Sequence, residues 1–133
     1  MPSPAELLAA LEAEPDGEAR AQLALRLAEE GAAGLEAVLA DLIGRAPPGP
    51  DRAGLIHALG YGDCSDHIDL LAELVATAGQ AEAHEALQAI ETVDEADPDT
   101  ARRAAAVLKA ARGRPGMEPW RAALFEDLAE ILE

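Results

Sequence analysis

Leu35-Glu36-Ala37-Val38-Leu39-Ala40-Asp41-Leu42-Ile43 decides the fold class. Its apolar residues fall at 35, 38, 39, 42 and 43, the three-and-four spacing that lines one face of an α-helix. The pattern then returns. Ile68, Leu71, Ala72 and Val75 lie 33 residues further on, and Ala101, Ala104, Ala105 and Leu108 another 33 beyond them. A second stripe, Leu55, Ile56 and Leu59, is matched by Ala86, Leu87 and Ile90 at an offset of 31. A period in the low thirties with two helices per unit predicts stacked helical hairpins, each burying its apolar face against the next.

Outward from this centre the punctuation predicts eight helices. Ser3, Pro4 and Glu6 form a capping box ahead of Leu7, Leu8 and Leu11. A second helix is expected from about Glu18 to Glu30, carrying Leu23, Leu27 and Ala28 inward and stopping at Gly31. Ala46-Pro47-Pro48-Gly49-Pro50 reads as a stiff non-helical loop, with Asp51 capping a short fourth helix that ends at Gly60 and Gly62. Ser65 or Asp66 is expected to cap the fifth helix, which ends near Gly79. The sixth carries Ala83, Ala86, Leu87 and Ile90, followed by a polar loop from Asp94 to Asp99. Asp97-Pro98 opens the seventh, which stops at Gly113. The eighth starts near Pro119 with Trp120, Leu124, Leu128, Ile131 and Leu132 inward.

Composition agrees. Half of the 133 residues are apolar, yet only one Phe, one Tyr and one Trp occur, and Ala, Leu, Glu and Arg are strong helix formers. A chain of this length is read as a single domain, residues 1–133, able to bury roughly 65–70% of its unfolded surface. The net charge of −16 argues against direct contact with nucleic acid or an anionic membrane, since phosphates attract Lys and Arg. The lone cysteine, Cys64, excludes an intramolecular disulfide. Met1-Pro2-Ser3-Pro4 lacks a basic start followed by an apolar stretch, and no apolar run reaches the roughly 18 residues a bilayer requires. A cytoplasmic protein is expected.

The charge is unevenly spread. From Ala53 to Ala101 no Lys or Arg occurs, while eleven acids give that stretch a charge of −11. Asp97 and Asp99, like Asp66 and Asp69, suit helix starts, where carboxylates complement the macrodipole. Glu73, Glu85 and Glu91 lie away from first turns. A solvated, solubilising face accounts for such a run; so does a surface for a cationic partner, whose approach complementary potential would speed. The partner-binding candidates are Tyr61, Asp63, Asp66, Asp69, Glu73, Glu82, Glu85, Glu91, Asp94 and Glu95, with Tyr61, in a loop between glycines, as an aromatic anchor.

Other chemistries find less support. Cys64 and His67 make half of a zinc motif, with His57 and His84 elsewhere, but a structural site takes paired ligands in two knuckles. Cys64 as a nucleophile would stand among carboxylates that disfavour a thiolate; packing as a small apolar group is the simpler role. No pair of acids stands out as acid and base, and no glycine-rich phosphate loop occurs. No enzyme, metal or cofactor is expected. Arg102, Arg103, Lys109, Arg112 and Arg114 are expected to pair with acids of neighbouring helices.

Leu55-Ile56-His57-Ala58-Leu59-Gly60, a short loop and Leu70-Leu71-Ala72-Glu73-Leu74 carry a resemblance. Asp51 to Arg112 resembles HEAT-like repeats of the degenerate kind also seen in phycobilin lyases, which implies an all-α superhelix of antiparallel hairpins. More narrowly, Asp51 to Leu59, then Asp63-Cys64-Ser65, then Glu82-Ala83-His84-Glu85-Ala86 is similar to small bacterial HEAT-like proteins of polymorphic-toxin loci, departing from them at Gly60-Tyr61-Gly62. That resemblance implies an immunity protein which neutralises a cognate basic toxin domain, with toxins acting on nucleic acid among the candidates. A HEAT-like scaffold or adaptor without a toxin partner is the alternative. HEAT-like lyases and DNA glycosylases want an aromatic pocket or basic groove that this composition does not supply.

Overall fold

The structure, a computed structural model, describes residues 2–132. Among them are eight α-helices and no strand: α1 (Pro4–Ala13), α2 (Gly17–Glu29), α3 (Leu35–Arg45), α4 (Pro50–Leu59), α5 (Ile68–Thr77), α6 (Gln80–Glu91), α7 (Pro98–Arg112) and α8 (Pro119–Leu132), with one 3-10 turn, Ser65–His67, ahead of α5. The all-α expectation is met.

The local signals explain most boundaries. Ser3 Oγ accepts from Glu6 N at 3.2 Å, Asp16 Oδ2 from Ala19 N at 2.8 Å and Asp97 Oδ2 from Thr100 N at 3.1 Å. Each satisfies an amide that the first helical turn leaves without a partner. Gly31 closes α2 with φ +70°, a conformation that costs a residue with a Cβ.

Three expectations are corrected. Asp51 does not cap α4: the N-cap is Gly49, no side chain caps it, and Pro50 belongs to the helix, its fixed φ suiting the first turn. Neither Ser65 nor Asp66 caps α5. They lie in the 3-10 turn, whose first amide, Ser65 N, donates to Asp63 Oδ1 at 3.1 Å. On α8, Ile131 is 42% exposed and Phe125, not expected inward, is buried.

The helices stack in two rows. α2, α4, α6 and α8 pack consecutively in the even row, and each of α3, α5 and α7 packs on the helix that follows it. In the odd row α5 and α7 pack closely, but α3 and α5 have no extensive contact. The array therefore splays between α3 and α5 and is continuous along the even row. Small residues permit that closeness. A Cβ on Gly54 of α4 would stand 2.9 Å from Ala21 Cβ of α2, and one on Gly60, which closes α4, 3.3 Å from the Ala89 backbone of α6.

One continuous core joins the rows, from Leu11 through Leu39, Ile56, Leu71 and Ile90 to Leu128. Its Ile and Leu side chains each contribute roughly 1.5–3 kcal/mol by leaving water. Charged groups enter it only with partners. Glu82, 4% exposed, accepts from Gly49 N and from Arg52, whose Nε lies 2.9 Å from Oε2. Arg121, 8% exposed, donates to carbonyls of α5 and its C-cap. No buried side-chain nitrogen or oxygen among the described residues lacks a hydrogen bond. Among the described residues no helix is long and apolar enough to cross a membrane.

Candidate functional site, the exposed face of the even row

Two open clefts run side by side on the even row, one on each flank of α4. The first, of about 440 Å³, lies between α4 and α6; His57, Gly60 and Tyr61 form one wall, Glu85, Gln88, Ala89 and Thr92 the other. The second, of about 400 Å³, lies between α2 and α4 and is lined by Glu18, Gln22, Leu25, Asp51, Gly54 and again His57, among others. His57 is the ridge between them. It is set there by helical spacing: Asp51, Gly54, His57 and Tyr61 recur every three or four residues, opposite Leu55, Ile56 and Leu59.

The first cleft has a defined arrangement. His57 Nδ1 lies 2.9 Å from Glu85 Oε2, and the His57 and Tyr61 rings meet edge to face with centroids 5.4 Å apart. Tyr61 is 55% exposed, the most exposed large apolar residue of the fold. A third recess adjoins through Thr92, where the α4–α5 and α6–α7 connections meet; Asp63, Asp94 and Glu95 rim it with Ser65 and Thr92. The hydrogen bonds from Ser65 hold the Asp63 carboxyl below the usual carboxylate range.

No Lys or Arg lines any of these three hollows. The even helices carry four arginines, and three are turned in. Arg20 donates to the Glu14 carbonyl, Arg52 to Glu82, and Arg121 to the carbonyls of Val75 and Ala78. Only Arg26 among them is exposed. The remaining basic residues belong to α3, α7 and the turn after α7. The three hollows are thus acidic because three of the four even-row arginines are committed elsewhere and Arg26 lines none of them.

The ten expected partner-binding residues do not form one patch. Glu82 is buried in its ion pair with Arg52, so it presents no charge to a partner. Asp69 is held by Arg103 of α7, Nε to Oδ2 at 2.9 Å. Asp69 and Glu73 lie on α5 of the odd row, whereas Glu85 and Glu91 lie on α6 of the even row. The stretch without bases in the sequence is therefore partly neutralised in space by Arg52 and Arg103, which lie just outside it. Tyr61 and Glu85 share the first cleft; Asp63, Asp94 and Glu95 share the recess; Glu91, at the end of α6, and Asp66, in the 3-10 turn, are exposed near it. His57, Gln88, Thr92, Asp51 and Glu18 join the site without having been singled out for it. The exposed stripe on α4 was the available signal.

Cys64 is fully buried, its Sγ donating to the Ala89 carbonyl at 3.3 Å. Burial pushes its thiol up, with a smaller rise from Asp63 and Glu36. It packs as a small apolar group, as its setting in the sequence implies. Among the described residues no three His, Cys, Asp or Glu side chains are grouped to hold a metal.

The chain matches no known protein family, curated protein or solved structure.

Proposed function

We propose that this protein works by binding, and that the exposed face of its even row takes a basic surface of another protein, as an immunity protein of HEAT-like type covers its toxin. One observation carries the electrostatic part of this reading: two adjoining clefts and a recess whose charged lining is acidic apart from His57, next to an exposed tyrosine, in a fold that turns three of its four even-row arginines inward. The carboxylates on that face repel one another. They do complement a cationic partner, accelerating encounter and fixing its register. An exposed Tyr beside them supplies rigid apolar contact area. The toxin as partner rests on the resemblance of Asp51 to Ala86; the partner's positive charge rests on the face itself.

The test is co-expression with the product of the adjacent gene. The expected result is a co-purifying complex whose affinity falls steeply with ionic strength, together with suppression of that product's toxicity. Affinity indifferent to salt would remove the electrostatic mechanism. A salt-sensitive complex with a harmless partner would make the protein an adaptor instead.

A further inference from the structure

We propose that the cleft between α4 and α6 is an arginine-binding pocket, built to receive the guanidinium of an arginine on a basic segment of the partner protein. This rests on the binding role above and makes it more specific.

The pocket offers what a guanidinium uses and an ammonium does not. Arginine is planar, stacks on aromatic faces and pairs with carboxylates through a fork of N–H donors, whereas lysine is a compact, strongly hydrated point charge. Tyr61 supplies the aromatic face. Its edge-to-face contact with His57 covers at most one side of the ring, and more than half of its surface is open. Glu85 supplies the carboxylate from the opposite wall. His57 Nδ1 holds Oε2 at 2.9 Å, while Oε1 makes no hydrogen bond among the described residues. His57 is thus a positioning residue, touching both the Glu85 carboxylate and the Tyr61 ring.

The remaining lining fits the rest of an arginine side chain. Gly60 and Ala89, whose backbones come close together, give a smooth apolar strip for the methylene stem. Gln88 adds a carbonyl acceptor at the rim. The cleft, about 440 Å³, holds no Lys or Arg to compete; its one basic side chain, His57, takes Oε2 of Glu85 and leaves Oε1. Outside it, Asp63, Asp94 and Glu95 present further negative charge to the flanking basic residues of the same segment.

The test uses the full chain and two fluorescent blocked peptides of equal length and charge, one rich in arginine and the other with lysine at every arginine position. Binding is read by anisotropy at low and moderate salt, and the contacted residues by amide chemical shifts of the isotope-labelled protein. The arginine peptide is expected to bind at least about tenfold more tightly, the size of one stacked and paired contact. Its shifts should centre on Gly60, Tyr61, Gln88 and Ala89. Tyr61→Ala and Glu85→Gln each change a group that does not sit in the core, and circular dichroism should show both folded. Each should reduce the preference for arginine to about twofold or less while leaving salt-dependent binding of both peptides. Equal affinity for the two peptides in the unaltered protein, or shifts confined to another surface, would overturn the pocket and leave the basic-partner reading standing. Failure of both peptides to bind at low salt would overturn both.

Discussion

Arg121, in the first turn of α8, donates from Nη1 to the carbonyl oxygen of Val75 on α5 at 2.7 Å, joining residues 46 positions apart. Its Nη2 reaches the Ala78 carbonyl at 2.8 Å and Glu118 Oε2 at 3.0 Å, and its guanidinium lies 4.4 Å from the centre of the Trp120 ring. One buried cation thus satisfies two carbonyls at the C-terminal end of α5, where a helix leaves acceptors without partners, and ties the last helix to the array.

Replacing it should expose that dependence. Arg121→Met keeps much of the stem but strands both carbonyls in the core. The expected loss is about 2–4 kcal/mol, measured by urea unfolding, because hydrogen bonds to a charged donor are lost and buried acceptors are left unpaired. A loss below about 0.5 kcal/mol, the range of ordinary surface changes, would show that α8 docks without it.

Glu118 gives the same corner a pH dependence. Its hydrogen bonds with Arg121 lower its pKa from 4.5 to about 2. A carboxyl depressed on folding stabilises fully above its unfolded value, near 4.5, and that contribution disappears as the pH falls toward 2. The gap in thermal midpoint between the unaltered protein and Glu118→Gln should therefore be constant at neutral pH and close between pH 4.5 and 2. A gap independent of acidification would contradict the pairing. The comparison with the variant is needed because acid also relieves the repulsion within a chain of net charge −16.

Arg52 and Glu82 should behave as a coupled pair. Both are largely removed from water, and Glu82 also holds Gly49 N at the start of α4. Either Arg52→Met or Glu82→Leu leaves a buried charge without its partner, at a cost of about 3–5 kcal/mol. Combining them removes both charges, so the double variant should be more stable than the two single losses predict. Simple additivity in the double-mutant cycle would mean that the charges do not interact.

Gly54 sets the distance between α2 and α4. Gly54→Val would push a branched side chain against Ala21, whose Cβ stands 2.9 Å from where the new Cβ must go. The expected destabilisation is about 1–3 kcal/mol, the usual effect of overpacking. Ala21→Gly in the same chain should recover part of it. Should Ala21→Gly cost as much with Gly54→Val present as it does alone, contact between the two positions would not be the cause.

The site was legible in part. Tyr61 is marked by its setting between glycines, and Asp63, Asp94 and Glu95 by the missing bases around them; they line the hollows of the even row. Glu82 looked like its acidic neighbours because its partner, Arg52, lies 30 positions earlier, beyond any local window. The same holds for Asp69, whose partner Arg103 is 34 positions later. His57 reads in the sequence only as a metal ligand, since nothing local indicates that Glu85 will stand beside it.

What the sequence determined by itself is everything that repeats within a turn or two of helix: eight helices, the caps Ser3 and Asp97, the stops at Gly31 and Gly113, and the buried stripes. Those signals are short-ranged, arising from backbone amides that need a cap and from apolar residues that must share a face. The tertiary structure alone decided which helices form the even row, which acids keep their charge free, and which tyrosine and carboxylate line one cleft. These depend on Coulombic and packing partners a whole repeat away, which only stacking brings together.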